Sequence, residues 1–207
     1  MSNIIETDSL SQFGFVERNL IVYDDFIPFL DKTYYALKKE HTDQGYFSGI
    51  DELNRPTEYC PCIHAKFYNL FFYKSDYVYF LYKNIQEMVI EYSEKNNIDY
   101  KKEAYHIHGF FSYTKKEQVK ESWHDHGAGE NHLHGFIPID AEPSHTLYKI
   151  DDKDISLIAK NGRIVVGKNT MHSRAEDWNE DRRRISVAFN IKPYKTMPDN
   201  EFYIPLI

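Results

Sequence analysis

The chain has 207 residues, of which 42% are hydrophobic and 16% aromatic, so it can bury a substantial core and its composition argues against disorder. A formal net charge of −7 argues against a protein that works mainly by binding nucleic-acid phosphates, which requires a basic surface. Its first residues lack the basic and apolar regions of a signal peptide, and no apolar run reaches the roughly 18 residues of a membrane span, so we expect a cytoplasmic protein.

The N-terminal half of the sequence is predicted to be largely helical. Residues 15–23 predict an opening strand, and Pro28 marks the first turn of a helix over residues 28–41. Residues 76–96 predict the clearest helix, because apolar side chains recur near the helical period of about 3.6 residues. Between these helices, residues 43–62 carry glycines and prolines and are predicted to be irregular.

From residue 105 onward the pattern changes to short strands separated by Gly, Pro and Asp. The predicted strands cover residues 105–113, 133–139, 146–150, 155–159, 162–167 and 184–191. Many short strands joined by turns are typical of a sandwich or barrel, so the predicted fold class is mainly β with flanking helices (α+β). We expect a single domain over residues 1–207, with a helical N-terminal half (1–100), a β core (105–191) and a C-terminal tail (192–207).

Three histidines are candidate metal ligands. His124 and His126 follow a predicted strand, and in an extended chain residues i and i+2 project from the same face, with Asp125 on the other. The third, His172, follows the predicted strand at residues 162–167. Two ligands from one segment and a third from a distant one predict an open site of the catalytic kind. Neutral imidazole suits Fe, Cu, Zn and Ni, so the pattern indicates a metal without naming it.

The H-x-H pattern alone is weak, because the chain has ten histidines and repeats the pattern at His106 and His108. Only the His124/His126 pair is followed by a glycine-bearing turn, an apolar strand, a distal histidine and a basic strand. That order favours a metal site over incidental histidines.

The basic strand at residues 184–191 alternates cleanly. Its apolar positions are Ile185, Val187, Phe189 and Ile191, and its other face carries Arg184, Ser186, Ala188 and Asn190. A guanidinium fork beside a hydroxyl is well shaped to hold a carboxylate, so we interpret Arg184 and Ser186 as a carboxylate site. The alternative is an exposed sheet face whose arginine pairs with a surface acid.

The constellation His124-x-His126, His172 and Arg184-x-Ser186 resembles the Fe(II)- and 2-oxoglutarate-dependent dioxygenases. It is similar to a branch common in phage and bacterial genomes, in its Leu133-His-Gly strand and its Ala141-Glu-Pro-Ser loop. The resemblance covers roughly residues 105–191.

It implies a double-stranded β-helix, or jelly roll, in which the three histidines hold Fe(II). It also implies 2-oxoglutarate as co-substrate, with its distal carboxylate on Arg184 and Ser186 and with Tyr113 reaching the same carboxylate.

The sequence departs from most of that superfamily at His126, where an aspartate is usual. Three neutral ligands leave more net charge on the metal, unless Asp125 or Glu130 supplies a carboxylate. Two other classes stay open. A cupin-type metalloenzyme that does not use 2-oxoglutarate would add Glu130 to the histidines, but it leaves Arg184 unexplained. A non-catalytic jelly-roll binding module would not need the site at all.

The resemblance implies a hydroxylase that couples oxidative decarboxylation of 2-oxoglutarate to succinate with oxidation of a second substrate. The acidic composition favours a small molecule or a protein side chain over nucleic acid as that substrate.

Overall fold

A computed structural model describes residues 4–43, 68–114, 123–127, 129–174, 178–197 and 202–207. The α-helices of these segments are α1 (Phe26–Asp43), α2 (Asp76–Lys95) and α3 (Tyr100–Glu103). The strands are β1 (Ile5–Thr7), β2 (Val16–Asn19), β3 (Tyr105–Thr114), β4 (Leu133–Asp140), β5 (His145–Ile150), β6 (Lys153–Ile158), β7 (Arg163–Lys168), β8 (His172–Arg174), β9 (Arg184–Pro193) and β10 (Ile204–Pro205). Nearly all of the loop predicted at residues 43–62 lies outside the described residues.

The strands form two sheets that make a jelly roll. The major sheet has the order β10-β3-β9-β4-β7-β2, and the minor sheet has the order β1-β6-β5-β8. All neighbours pair antiparallel except β1 and β6, which are parallel. The predicted fold class, mainly β with flanking helices, is confirmed.

Helix α2 shows why the N-terminal half packs against the major sheet. Its buried stripe includes Leu81, Ile85 and Met88, which are fully enclosed. Burial of each such side chain stabilises the fold by about 1.5–3 kcal/mol. The predicted helix over residues 76–96 is confirmed to within one residue, because a long amphipathic period is a local property of the sequence.

Two apolar cores lie on opposite faces of the major sheet. The larger core packs the sheet against α1 and α2 and includes Ile185, Val187, Phe189 and Ile191. The smaller core lies in the inter-sheet space and contains Leu10, Phe15, Phe136, Tyr148, Ile155, Leu157 and Val165. The predicted alternation of β9 is therefore correct, and its remaining residues face the minor sheet.

The two ends of the chain contribute more strand than the sequence indicated. Strand β2 lies within the strand predicted at residues 15–23 and pairs with β7. Strand β1, which pairs with β6, and strand β10, which comes from the predicted tail and pairs with β3, were not predicted. These two strands are three and two residues long, and so short a segment carries little periodic signal. Among the described residues, no helix is both long and apolar enough to cross a membrane.

Candidate metal centre

His124, His126 and His172 converge at one place in the structure. Each offers a ring nitrogen, and these three nitrogens lie within 4.8 Å of one another. The Nε2 atoms of His126 and His172 are 3.1 Å apart. Two imidazoles at about 2.1 Å from one ion, at a right angle, have nitrogens about 3 Å apart, so this donor set fits a divalent transition metal.

Backbone pairing brings the two distant histidine segments together. His124 and His172 form an antiparallel bridge, with N···O distances of 3.0 and 2.8 Å. Strand β8 begins at His172, which lies opposite Tyr148 of β5. The Nδ1–H of His172 donates to the Thr170 carbonyl at 2.8 Å, which leaves its Nε2 available as a ligand.

His126 lies in the turn that follows the bridge. Its backbone N–H donates to Asn169 Oδ1 at 3.2 Å, and the Asn169 amide donates to the Gly127 carbonyl at 2.9 Å. Gly127 has a φ of 94°, a left-handed conformation that favours glycine. One side chain from the segment before β8 therefore fixes the turn that carries the second ligand.

The two acidic residues near the histidines do not join them. The Asp125 carboxylate accepts the Gly127 N–H at 2.9 Å, and Asp125 and Glu130 are both exposed. The geometric group of candidate ligands in the described residues contains the three histidines and neither carboxylate. The second H-x-H pair is also elsewhere, since His106 bonds the Ala104 carbonyl and His108 bonds the Tyr68 carbonyl.

The sequence analysis missed a fourth imidazole in this cluster, His134 of β4. Its ring stacks on His126 at 4.3 Å with an interplanar angle of 12°, and on His172 at 4.6 Å with an angle of 18°. The His134 Nδ1–H donates to Asn190 Oδ1 at 3.1 Å. Burial, followed by the other histidines nearby, lowers the pKa of His126 and of His134 well below the usual value of 6.5. His126 and His134 are therefore neutral at neutral pH in the metal-free protein.

The predicted carboxylate site is buried between the sheets. Arg184 is 4% exposed, and its Nε donates to Ser144 Oγ at 2.8 Å. Its two terminal nitrogens lie 3.4 Å from Ser186 Oγ and from Thr146 Oγ1. The structure thus brings Arg184 and Ser186 together, as predicted, and adds two hydroxyls from the minor-sheet side that the sequence analysis did not assign.

Tyr113 does not reach this site. It lies opposite Ile185 in the β3–β9 register and faces α1, where its ring is 4.9 Å from that of Tyr34. Burial and the nearby Asp31 carboxylate raise the pKa of Tyr113. The expectation that Tyr113 shares a ligand with Arg184 does not fit this geometry, because the two side chains lie on opposite faces of the major sheet.

Tyr148 faces the inter-sheet space. Its ring is 5.9 Å from that of His172, and it lies two residues from Thr146 on the same face of β5. Burial raises the pKa of Tyr148 far above its usual value, an effect opposed by the Arg184 charge. Its hydroxyl therefore stays protonated at neutral pH.

No protein-family model and no curated protein matches this sequence. Solved structures do share its fold. A prolyl-4-hydroxylase from Pseudomonas putida aligns with a TM-score of 0.52 at 11% identity, covering 92% of each chain. SnoK, a non-heme alpha-ketoglutarate-dependent carbocyclase from nogalamycin biosynthesis, aligns with a TM-score of 0.53 at 10% identity, covering 95% of this chain and 92% of that one. At these identities the likeness shows that the fold, a jelly roll, is shared.

Proposed function

We propose that this protein is an Fe(II)- and 2-oxoglutarate-dependent oxygenase of the hydroxylase type. The observation that carries the proposal is the convergence of His124, His126 and His172 within 4.8 Å, in a fold whose inter-sheet space also buries Arg184. The shared fold with an alpha-ketoglutarate-dependent enzyme supports the same assignment.

The spacing of the two sites suits a five-carbon dicarboxylate. Tyr148 lies opposite His172, and Thr146, two residues along the same strand, lies 3.4 Å from the Arg184 guanidinium. Two residues of a strand span about 7 Å. A molecule held at the histidines by one end can therefore present its other carboxylate to Arg184 and Ser186.

In this proposal the residues bind, orient and shield. The histidines would hold the iron, at which dioxygen would give one oxygen atom to convert 2-oxoglutarate to succinate and carbon dioxide and the other to the substrate. Arg184 would neutralise the distal carboxylate, and Ser144 and Thr146 would hold the guanidinium in place. The apolar core between the sheets, which includes Phe136, would exclude water from the buried end of the co-substrate.

The histidine-glutamate alternative of the cupin type is less favoured, because Glu130 is exposed and outside the cluster. The substrate that we propose is a small molecule or a protein side chain, as the acidic composition suggests.

The deciding experiment adds 2-oxoglutarate to the Fe(II)-loaded protein without oxygen. We expect a weak visible charge-transfer band, which a keto acid gives when it chelates iron through its keto oxygen and adjacent carboxylate. The Arg184→Ala variant should need far more 2-oxoglutarate to reach the same band. Iron binding without this band at saturating 2-oxoglutarate would reject the proposal in favour of a metalloenzyme that does not use the keto acid.

A further inference from the structure

The three candidate ligands are held in different ways. His124 and His172 are fixed by the bridge between their backbones, and the His172 ring is also fixed by its hydrogen bond to Thr170. His126 lies beyond the bridge, and among the described residues its ring makes one hydrogen bond, to His172 itself. The backbone of its turn is fixed through Asn169, but that contact does not set the orientation of the ring.

The ring of His126 is oriented mainly by another ring. His134 lies against it almost face to face, with centroids 4.3 Å apart and planes 12° apart. The contacts of the same ring with the rings of His172, His124 and Phe110 are longer, at 5.0, 5.4 and 5.9 Å, and more tilted, at 27°, 80° and 50°. His134 is 5% exposed and belongs to β4 in the middle of the major sheet. It is therefore a rigid packing surface, called the wall below, for the ring of His126, which lies on a turn.

The wall is itself held in place by a cross-strand pair. His134 and Asn190 lie directly opposite each other in the β4–β9 register, and the imidazole N–H donates to the Asn190 amide oxygen at 3.1 Å. This hydrogen bond fixes the plane of the His134 ring. It also gives a buried polar side chain a partner, without which the site would be destabilised.

We infer that His134 is a positioning residue, which with Asn190 holds the His126 imidazole in the orientation that binds the metal. The inference rests on the proposed function only in that the three histidines must bind a divalent metal. His134 acts through its flat ring and not as a ligand. Its Nδ1–H is hydrogen-bonded to Asn190, and His134 is not in the group of three histidines whose nitrogens converge.

The test uses Co(II) as the probe, with calorimetric titration for affinity and the visible d–d spectrum for geometry. His134→Ala should weaken Co(II) binding by about 10- to 100-fold, the usual effect of losing a group that orients a ligand. The spectrum of its saturated complex should change, because His126 no longer approaches the ion at a fixed angle. His134→Phe, which keeps a flat ring but no nitrogen, should restore most of both properties.

Two further variants separate positioning from general damage. His106→Ala removes another imidazole of the major sheet that is hydrogen-bonded to a carbonyl and lies outside the cluster, so it should leave the Co(II) affinity and spectrum unchanged. Asn190→Ala should weaken Co(II) binding less than His134→Ala, since the wall is loosened but not removed. Urea unfolding of each metal-free variant measures the cost to the fold.

The outcomes are distinct. Parental Co(II) affinity and spectrum in His134→Ala would overturn the inference, and a Phe variant as defective as the Ala variant would make His134 a ligand and overturn it too. Unchanged Co(II) binding in a His124→Ala/His172→Ala double variant would instead overturn the metal site, and with it the proposed function.

Discussion

Removal of the Arg184 guanidinium is the sharpest perturbation of the proposed co-substrate site. The side chain is almost fully buried, and its nitrogens lie near the hydroxyls of Ser144, Thr146 and Ser186. The three hydroxyls are neutral and contribute only dipoles. Among these four side chains, the formal charge belongs to the Arg184 guanidinium. Arg184→Ala should therefore abolish the charge that would neutralise a distal carboxylate and leave three hydroxyls behind.

The size of the effect follows from burial. Truncating one partner of a buried, hydrogen-bonded charge pair costs about 2–5 kcal/mol, which weakens 2-oxoglutarate binding by roughly 30-fold to several thousand-fold. Ser186→Ala removes one hydrogen bond to a charged group and should cost roughly 1.5–3 kcal/mol. Arg184→Lys keeps the charge but loses the planar fork, so its effect should lie between those of Arg184→Ala and the parent.

The assay is calorimetric titration of 2-oxoglutarate into metal-loaded protein, together with metal titration in the absence of 2-oxoglutarate. Metal affinity should be unchanged in Arg184→Ala, because the guanidinium is not a ligand. Arg18→Ala is the matched control, since this arginine pairs with Glu87 on the helix side of the major sheet. Arg182 is unsuitable, because its guanidinium binds the Asp140 carboxylate at the end of β4. Parental 2-oxoglutarate affinity in Arg184→Ala would refute the reasoning.

Three other predictions concern the histidine cluster. Alanine at any one of the three ligand positions should remove most Fe(II) affinity in an anaerobic titration, whereas His106→Ala should not. An equal loss of Fe(II) affinity in His106→Ala would contradict the assignment of the three ligands. Asp125→Asn and Glu130→Gln should leave metal affinity within about threefold, since both side chains are exposed, and loss of binding in Glu130→Gln would restore the cupin alternative. Metal-free protein should lose stability below about pH 6.5, because His126 and His134 stay neutral when folded but take up protons when unfolded. The slope should approach about 1.4 kcal/mol per pH unit for each, and urea unfolding that is flat between about pH 5 and 7 would contradict it.

The features that could be predicted from the sequence are those that depend on the local spacing of apolar residues along a helix or strand. The alternation of β9 places Ile185 and Val187 in the larger core and Arg184 and Ser186 between the sheets. The regular alternation of apolar and other residues in this strand was sufficient to predict which side chains share a face. The bridge between the two histidine segments was not predicted, although the ligands were. It joins residues 48 positions apart, and strand β8 that carries His172 has three residues.

The misplacement of Tyr113 has a specific cause. The resemblance to the dioxygenases implied its role, but the side of the sheet on which it lies depends on the register between β3 and β9. In the structure Tyr113 lies opposite Ile185, and Ser112 lies opposite Ser186, so a shift of one residue would reverse the outcome. Strands separated by some seventy residues do not reveal their register in a single sequence.

His134 was missed for a related reason. In Leu133-His-Gly135 it stood as one polar residue in an apolar strand, and nothing local connected it with the ligands. One signal was present: a strand buried throughout must give each polar side chain a partner, and Asn190 occupies the polar face of β9. Pairing of His134 with Asn190 would have indicated, without any argument about a metal, that His134 lies in the inter-sheet space.

The distribution of charge connects the histidine cluster with the predicted carboxylate site at Arg184. The Asp125 and Glu130 carboxylates near the histidines are exposed and lie outside the group of candidate ligands, so neither would offset the charge of a divalent ion held there. The charged side chains buried on the inner face of β9, Arg184 and Lys192, are both positive. The Glu17 carboxylate, which also raises the pKa of Tyr148, accepts hydrogen bonds from Ser9 and from the backbone of residue 10. Under the proposed function, a dianion that extends from the ion to Arg184 would therefore supply the negative charge of the aspartate that is usual at the position of His126 in the dioxygenases that the sequence resembles.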